Sequence, residues 1–300
     1  MIKVTHAFLN VTRFSKYKVI DYKEGGMGRV FILEKIDKQP GTFESHSFYS
    51  RRTQDKFKFI DRDLLAAKTI RSPDLRDLFL RELNIWISLT QPGIVPLLKV
   101  AKEDNELFGI MPAYEYNLRE YIGTHRCSAV DCLKALEQCV TGLAEISDGG
   151  VLHLDLKPEN LLVAIIDEQP QIDVSDWGLA NVKMGIVRTT MQSDLRTIVG
   201  GGTIPYMSPE RLRMVKPDYK SDIFSLGMIF YELLVGDLPY SAQGSQESQI
   251  LSGQYFDRVQ QMVGEKRIPS FLIEMLHPDL GKRRAEYKDV LKFLISLKGN

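Results

Sequence analysis

His153-Leu154-Asp155-Leu156-Lys157-Pro158-Glu159-Asn160 brings an acid, a base and an amide into one short segment. Set between a helix and the apolar run that starts at Leu161-Leu162, a loop of this composition can aim Asp155 at a substrate hydroxyl and Asn160 at a metal ion. Further on, Ile172 to Ser175 leads into Asp176-Trp177-Gly178, a second acid at a strand end followed by a flexible hinge. Two oxygen donors from separate strand ends suit Mg²⁺, which keeps its remaining positions for phosphate and water. Two unrelated solvated loops explain this arrangement poorly, because many ordered positions must coincide.

Three features upstream belong to the same chemistry. Lys23-Glu24-Gly25-Gly26-Met27-Gly28-Arg29-Val30 clusters glycines beside a strand, where backbone amides can approach phosphates closely. The same glycines serve a plain hairpin equally well. In Ala66-Ala67-Lys68, strand alternation puts Ala66, Lys68 and Ile70 on one face, a small residue beside a cation, as a flat apolar ring bearing phosphates requires. A solvated edge lysine is the ordinary alternative. Glu82 tips the balance: it lies between Leu78 and Trp86 on the apolar face of a helix, where an unpaired carboxylate is costly, and Lys68 is its natural partner.

The elements that must position these groups change character along the chain. Val30 to Leu33, Leu64 to Ile70 and Leu107 to Met111 read as strands. Ser72-Pro73-Asp74 starts a helix that carries Leu78, Glu82, Trp86 and Leu89 and stops at Pro92-Gly93. Beyond residue 117 the pattern becomes helical, with long helices predicted over Val130 to Ile146 and Ser221 to Val235 and shorter ones over Phe271 to Leu276 and Tyr287 to Leu297. The fold class is therefore α+β. A small β-rich lobe over 1–113 holds one key helix and a 37–63 insertion between two strands, and a larger helical lobe covers 114–300.

Composition excludes several classes. Among 300 residues, 39 Lys+Arg balance 39 Asp+Glu, so the basic excess of a dedicated nucleic-acid binder is absent and no nucleic-acid partner is expected. The apolar stretch around Leu226 to Val235 is too short to span a bilayer, and the first residues lack the pattern of a signal peptide. Cys127, Cys132 and Cys139 share one helical stretch without a fourth ligand nearby. They read as reduced thiols, buried or half-buried, in a reducing cytosol, and the protein as cytoplasmic.

From about Tyr17 to Leu297 the chain resembles the eukaryotic-type Ser/Thr protein kinases. The glycine-rich loop is KEGGMGRV, the strand lysine lies in AAK, the catalytic loop is HLDLKPENLL, and DWG stands where the family has DFG. GTIPYMSPE, from Gly202 to Glu210, resembles the end of an activation segment, and Lys220 to Tyr240 the family's buried helix. Asp279 to Arg283 resembles its late arginine motif.

The resemblance implies a two-lobed, single protein kinase domain over 1–300. It would use ATP and Mg²⁺ to phosphorylate Ser or Thr of a protein substrate. It assigns Lys68 to the α/β phosphates and Glu82 to holding Lys68, Asn160 and Asp176 to Mg²⁺, Asp155 to the substrate hydroxyl proton, and Lys157 to the transferring phosphoryl group. Gly25, Gly26 and Gly28 would cover the phosphates. Val30, Ala66 and Leu162 would sandwich adenine, with Met111 as gatekeeper and Pro112, Ala113 and Tyr114 along its edge. Lys157 and Thr203 point to Ser/Thr rather than Tyr. Arg283 should pair with Glu210, while Asp222 anchors the base of a spine containing Trp86, His153 and Trp177, with Trp86 touching Trp177.

Departures from the family pattern carry expectations of their own. Lys23 holds the first glycine position, and the Lys68 to Glu82 spacing is short, so the helix should enter about a turn late. Both favour, weakly, the competing class, a pseudokinase or nucleotide-binding scaffold that signals by docking. A kinase acting on a metabolite, or a transferase of another nucleotide group, would share the pocket. Leu154 replaces the arginine that grips an activation-loop phosphate in many relatives, so phosphorylation of Thr189, Thr190, Ser193 or Thr197 should not be required, unless Arg188 substitutes. The 37–63 segment, rich in aromatic and basic residues, reads as an extended hairpin or a docking surface.

Overall fold

The computed structural model describes residues 17–24, 28–36, 64–103, 106–124, 128–182 and 204–299. Gly25, Gly26, Cys127, Arg188, Thr189, Thr190, Ser193, Thr197, Thr203 and the 37–63 segment lie outside these residues. The chain divides into two compact units, one of residues 1–90 and 94–115, the other of 91–93 and 116–300.

Unit one is built on an antiparallel sheet of β1 (Tyr17–Glu24), β2 (Gly28–Lys35), β3 (Leu64–Ile70), β4 (Lys99–Glu103) and β5 (Glu106–Pro112), in the order β1-β2-β3-β5-β4. Strand alternation sorts the side chains. Leu33, Leu65, Ala67, Ala101, Phe108 and Ile110 form a core on one face, covered by Tyr17, Val19, Phe31 and Leu98. The register Val30↔Lys68↔Gly109 and Ile32↔Ala66↔Met111 gathers the other set on the opposite face. Helix α1 (Arg76–Trp86) packs there. A Cβ on Gly109 would lie 3.0 Å from both Leu83 Cδ2 and Trp86 Cζ3, so the helix rests directly on the bare backbone of β5.

Helix α1 departs from expectation at both ends. Pro73 to Leu75 form a 3-10 turn closed by Leu75 N–H on Ser72 O at 3.0 Å, and the α-helix starts only at Arg76, after the start predicted at Ser72-Pro73-Asp74. The helix ends at Trp86, not at Pro92-Gly93. Ser88 Oγ donates to the Ile85 carbonyl at 2.6 Å, and Trp86 Nε1 donates to Val95 O at 2.6 Å. The Ser88 bond is local and competes with helix continuation, whereas the Trp86 bond ties the helix end to a later segment of the chain.

Unit two holds α2 (Leu118–Thr124), α3 (Ala129–Ala135), α4 (Glu137–Asp148), α5 (Pro209–Leu212), α6 (Tyr219–Val235), α7 (Gln246–Ser252), α8 (Gln254–Gly264), α9 (Phe271–Leu276) and α10 (Tyr287–Ser296). Short strands β6 (Tyr116–Asn117), β8 (Leu161–Ile166) and β9 (Gln169–Val174) form one sheet, and β7 (Val151–Leu152) pairs with β10 (Asn181–Val182). The single helix predicted over Val130 to Ile146 is two helices that break at Leu136, whose N–H bonds Leu133 O instead of continuing the α-helical pattern. The apolar periodicity runs through the break without glycine or proline to mark it. Cys132 and Cys139 therefore sit on different helices, both buried, and the Cys139 thiol donates to Ile172 O at 2.9 Å.

Helix α6 is the centre of unit two. Every residue from Ser221 to Tyr231 is buried. Asp218 caps its start by accepting from Lys220 N–H at 2.8 Å, and Gly236, at φ 85°, ends it.

Replacing Gly109 by valine should force Leu83 and Trp86 off the sheet and cost about 1–3 kcal/mol. The urea midpoint followed by tryptophan fluorescence measures this, and a wild-type midpoint would contradict the packing described.

Candidate active site

In unit one, Lys68 Nζ lies 2.5 Å from Glu82 Oε1. The lysine comes from the centre of β3, the glutamate from the buried side of α1, and both side chains are largely buried. In a low-dielectric setting each ion offsets part of the cost of burying the other. Ala66 and Met111 face each other across the same side of the sheet, with Val30 opposite Lys68. A Cβ on Gly28 would stand 2.7 Å from Thr69 O and 3.7 Å from Lys68 Cε, so only glycine lets β2 begin this close to the lysine. Lys23 is part of β1, paired with Val30. Ala113 N–H turns inward to Leu64 O at 3.4 Å, and Tyr114 follows it at the end of the unit. Trp86 is buried beneath Gly109.

In unit two, the catalytic-loop segment hangs from α6. Asp222, buried in the first turn of that helix, accepts from His153 N–H at 2.9 Å through Oδ2 and from Leu154 N–H at 2.8 Å through Oδ1. Burial pushes the Asp222 pKa up, and the two amides and Arg211 are among the groups that oppose the rise. His153 is fully buried. Its Nδ1 accepts from Asp155 N–H at 3.1 Å, so the ring proton sits on Nε2 and is donated to Ser175 O at 2.9 Å. One imidazole thereby ties the backbone of Asp155 to the strand end that carries Asp176. Trp177 packs on this imidazole, ring centroids 4.7 Å apart, and is itself fully buried. Trp86 belongs to unit one and Trp177 to unit two, so the expected contact between them remains an expectation.

Asp155 is held by its neighbours in sequence. Lys157 Nζ donates to Oδ2 at 2.9 Å, and Asn160 Nδ2 donates to the same oxygen at 3.1 Å and to Asp155 O at 2.8 Å. Both partners of Asn160 Nδ2 are acceptors, which settles the amide orientation and leaves Oδ1 as an oxygen donor for a cation. Asn160 O receives Ser175 N–H at 2.9 Å and Ser175 Oγ at 3.0 Å, so the backbones that bear Asn160 and Asp176 are joined directly. Asp176 follows at φ 67°, an unusual left-handed conformation for a residue of its size that turns the chain sharply at the strand end. An amide oxygen and a carboxylate on adjoining strand ends are hard donors of the kind Mg²⁺ takes. Leu162 lies on β8, opposite Asp173.

A second anchor secures the end of the GTIPYMSPE segment. Arg283, fully buried, donates from Nη1 to Glu210 Oε1 at 2.8 Å and from Nη2 to Oε2 at 3.1 Å, the pair expected from the sequence. Nη1 also reaches Lys220 O at 2.9 Å, and the guanidinium lies over the Phe224 ring at 4.9 Å. Burial alone would raise the Glu210 pKa, but Arg283 and Ser221 overcome it and hold the carboxyl below its ordinary value.

The sequence reading missed two groups. Arg119 of α2 bonds Glu159, Glu232 and Tyr206, tying the catalytic loop, the end of α6 and the turn before α5 to one guanidinium. Arg211 donates to Leu154 O. Neither residue lies in a spacing pattern that singles it out, since both are read only once the chain is folded.

A family model described as the protein kinase domain matches residues 57–293, and the chain belongs to that family. Its α+β organisation, a sheet-based N-terminal unit and a helical C-terminal one, is the family's. The chain is 32% identical over 228 residues to Serine/threonine-protein kinase PrkC of Bacillus subtilis (strain 168), a match covering 74% of this chain and 30% of that protein. It is 28% identical over 236 residues to Serine/threonine-protein kinase PknD of Chlamydia pneumoniae, covering 69% and 25%. To Serine/threonine-protein kinase cds1 of Schizosaccharomyces pombe it is 32% identical over 174 residues, covering 55% and 36%. These matches take in between a quarter and about a third of the relatives' own lengths.

Glu210→Gln should destabilise unit two by about 3–5 kcal/mol at neutral pH, because it leaves Arg283 buried without its counter-charge. The folded Glu210 pKa is lowered, so the pair's stabilisation is present above the ordinary glutamate range and is lost as pH falls through the folded value. The gap between wild type and variant in denaturant titrations should accordingly close below about pH 4. A gap independent of pH would contradict the assignment.

Proposed function

We propose that this chain is a Ser/Thr protein kinase, transferring the γ-phosphate of ATP to a protein hydroxyl. The observation that carries the reading is the state of Asp155. Its Oδ2 is occupied by Lys157 and Asn160, while Oδ1 takes no hydrogen bond among the described residues. An acid held on one oxygen and open on the other is arranged to receive a hydroxyl proton. The Ser/Thr kinases to which the chain is similar support the same reading.

Lys68, oriented by Glu82, would draw the α and β phosphates by charge. Gly25, Gly26 and Gly28 would cover the phosphates, and Val30, Ala66, Met111, Ala113, Tyr114 and Leu162 would contact the adenine. Asn160 and Asp176 would hold Mg²⁺, which when bound neutralises phosphate charge and draws electron density toward the leaving oxygen. Lys157, already at Asp155, is placed to steady the phosphoryl group as it moves between oxygens. Trp86, His153, Trp177, Thr203, Glu210, Asp222 and Arg283 are assigned structural roles around these groups. No helix of the described residues is long and apolar enough to cross a membrane. The free thiols of Cys132 and Cys139 support a cytoplasmic protein, and its substrate would be a protein.

Transfer of labelled phosphate from MgATP, to the chain itself and to a generic protein, tests this. Asp155→Asn should lower kcat by about 10²- to 10⁴-fold while the melting temperature still rises on adding MgATP. No transfer by the wild type, with thermal stabilisation retained, would replace the enzyme by a nucleotide-binding scaffold.

A further inference from the structure

Position 154 poses a problem that Arg211 solves. Leu154 carries a side chain that can form no polar contact, yet it sits in the left-handed region at φ 65°, buried, directly before Asp155. A leucine does not adopt this conformation without external restraint. The restraint comes from hydrogen bonds to three consecutive backbone groups. Asp222 takes the N–H groups of His153 and Leu154, and His153 Nδ1 takes the N–H of Asp155. The remaining group, the Leu154 carbonyl, receives Arg211 Nη1. The peptide plane between Leu154 and Asp155 is thus held at its oxygen by Arg211 and at its nitrogen by His153.

Arg211 is itself well placed for this. It lies on the short helix α5, immediately after Glu210, whose carboxylate is locked by Arg283 and Ser221. Three carboxylates, Asp155, Asp222 and Glu210, face it electrostatically. Burial disfavours its charge, and these three acids oppose that effect.

We infer that Arg211 is a positioning residue for phosphoryl transfer: reaching back from the end of the activation segment, it fixes the Leu154 carbonyl, and so the backbone that aims Asp155, in a loop that lacks an arginine at position 154. The inference rests on the kinase reading above for its effect on rate, but not for its effect on the loop. The guanidinium bonds the Leu154 carbonyl, so its loss acts on the placement of Asp155. That effect should fall mainly on kcat and less on the KM for MgATP, since Lys68 and the glycine-rich segment belong to unit one while Asn160 is bonded to the Asp155 backbone.

The test uses the full chain and three variants. Arg211→Met should lower kcat between about tenfold and a hundredfold with a smaller change in the KM for MgATP, and Arg211→Lys, which keeps a charge and a donor, should recover most of the loss. Deuterium uptake in the peptide spanning His153 to Leu156 should quicken in Arg211→Met while the peptides of α6 exchange as in the wild type. This second readout needs no activity. If the wild type transfers no phosphate, the kinase reading fails and the exchange result alone decides the inference. Unchanged exchange in a folded Arg211→Met, or wild-type kcat in an active one, overturns it. Should Arg211→Met not fold, a third variant, Arg211→Gln, whose shorter neutral side chain withdraws the donor from the Leu154 carbonyl, decides: faster exchange over His153 to Leu156 supports the inference, and exchange identical to wild type overturns it.

Discussion

The buried carboxylate of Asp222 is the constraint on which unit two depends. A charge taken out of water is costly unless several donors meet it, and here the donors are the backbone amides of His153 and Leu154. The penalty of burying Asp222 is thereby turned into a positional requirement: the carboxylate is tolerable only while the catalytic loop stays where it is. Its place in the first turn of α6 adds the favourable end of the helix dipole. The helix itself is encased from Ser221 to Tyr231, so the point from which the loop hangs has little freedom.

Three consecutive residues at the start of α6 each hold a different piece of chain. The Lys220 carbonyl accepts from Arg283, the Ser221 hydroxyl donates to Glu210, and Asp222 holds the loop before Asp155. The late arginine, the end of the SPE segment and the catalytic loop lie far apart in sequence and meet within one helical turn. Loop closure costs entropy for each of them, but the cost grows only slowly with length, and one rigid anchor serves all three. The ion pair of Glu210 with Arg283 and the loop contacts of Asp222 are therefore not independent features. Displacing the first turn of α6 would loosen both.

Much of this was legible before folding, and the reason is local. Asp155, Lys157 and Asn160 bond one another within a single short loop, so their spacing already contains their geometry. Lys68 and Glu82 were legible through strand alternation and helix periodicity, because a carboxylate on an apolar stripe requires a partner. The Arg283 pair came from resemblance to the family and not from any spacing, since no pattern links positions so far apart. The break at Leu136 and the early end of α1 were illegible for a different reason. Both occur where apolar periodicity continues, and the end of α1 coincides with a bond that periodicity does not report, from Trp86 to Val95. Arg119 and Arg211 look like ordinary surface arginines in sequence, and only the fold brings their carboxylates and carbonyls together.

The ion pair in unit one points the same way from energetics. Lys68 and Glu82 are largely buried on the face of the sheet that α1 covers, while the other face is filled by Leu33, Leu65, Ala67 and Phe108. A pair of apolar side chains of similar volume between β3 and α1 would bury as well and avoid desolvating two charges, and such replacements are often neutral or stabilising. Stability alone does not select this arrangement. The arrangement does place a cation of fixed orientation beside Ala66, across from Val30 and close to the bare backbone of Gly28. Asp222 is a charge whose burial organises a loop. Lys68 is a charge whose burial, shared with Glu82, keeps it pointed in one direction, and in both units an ion expensive to bury is retained where a direction has to be held.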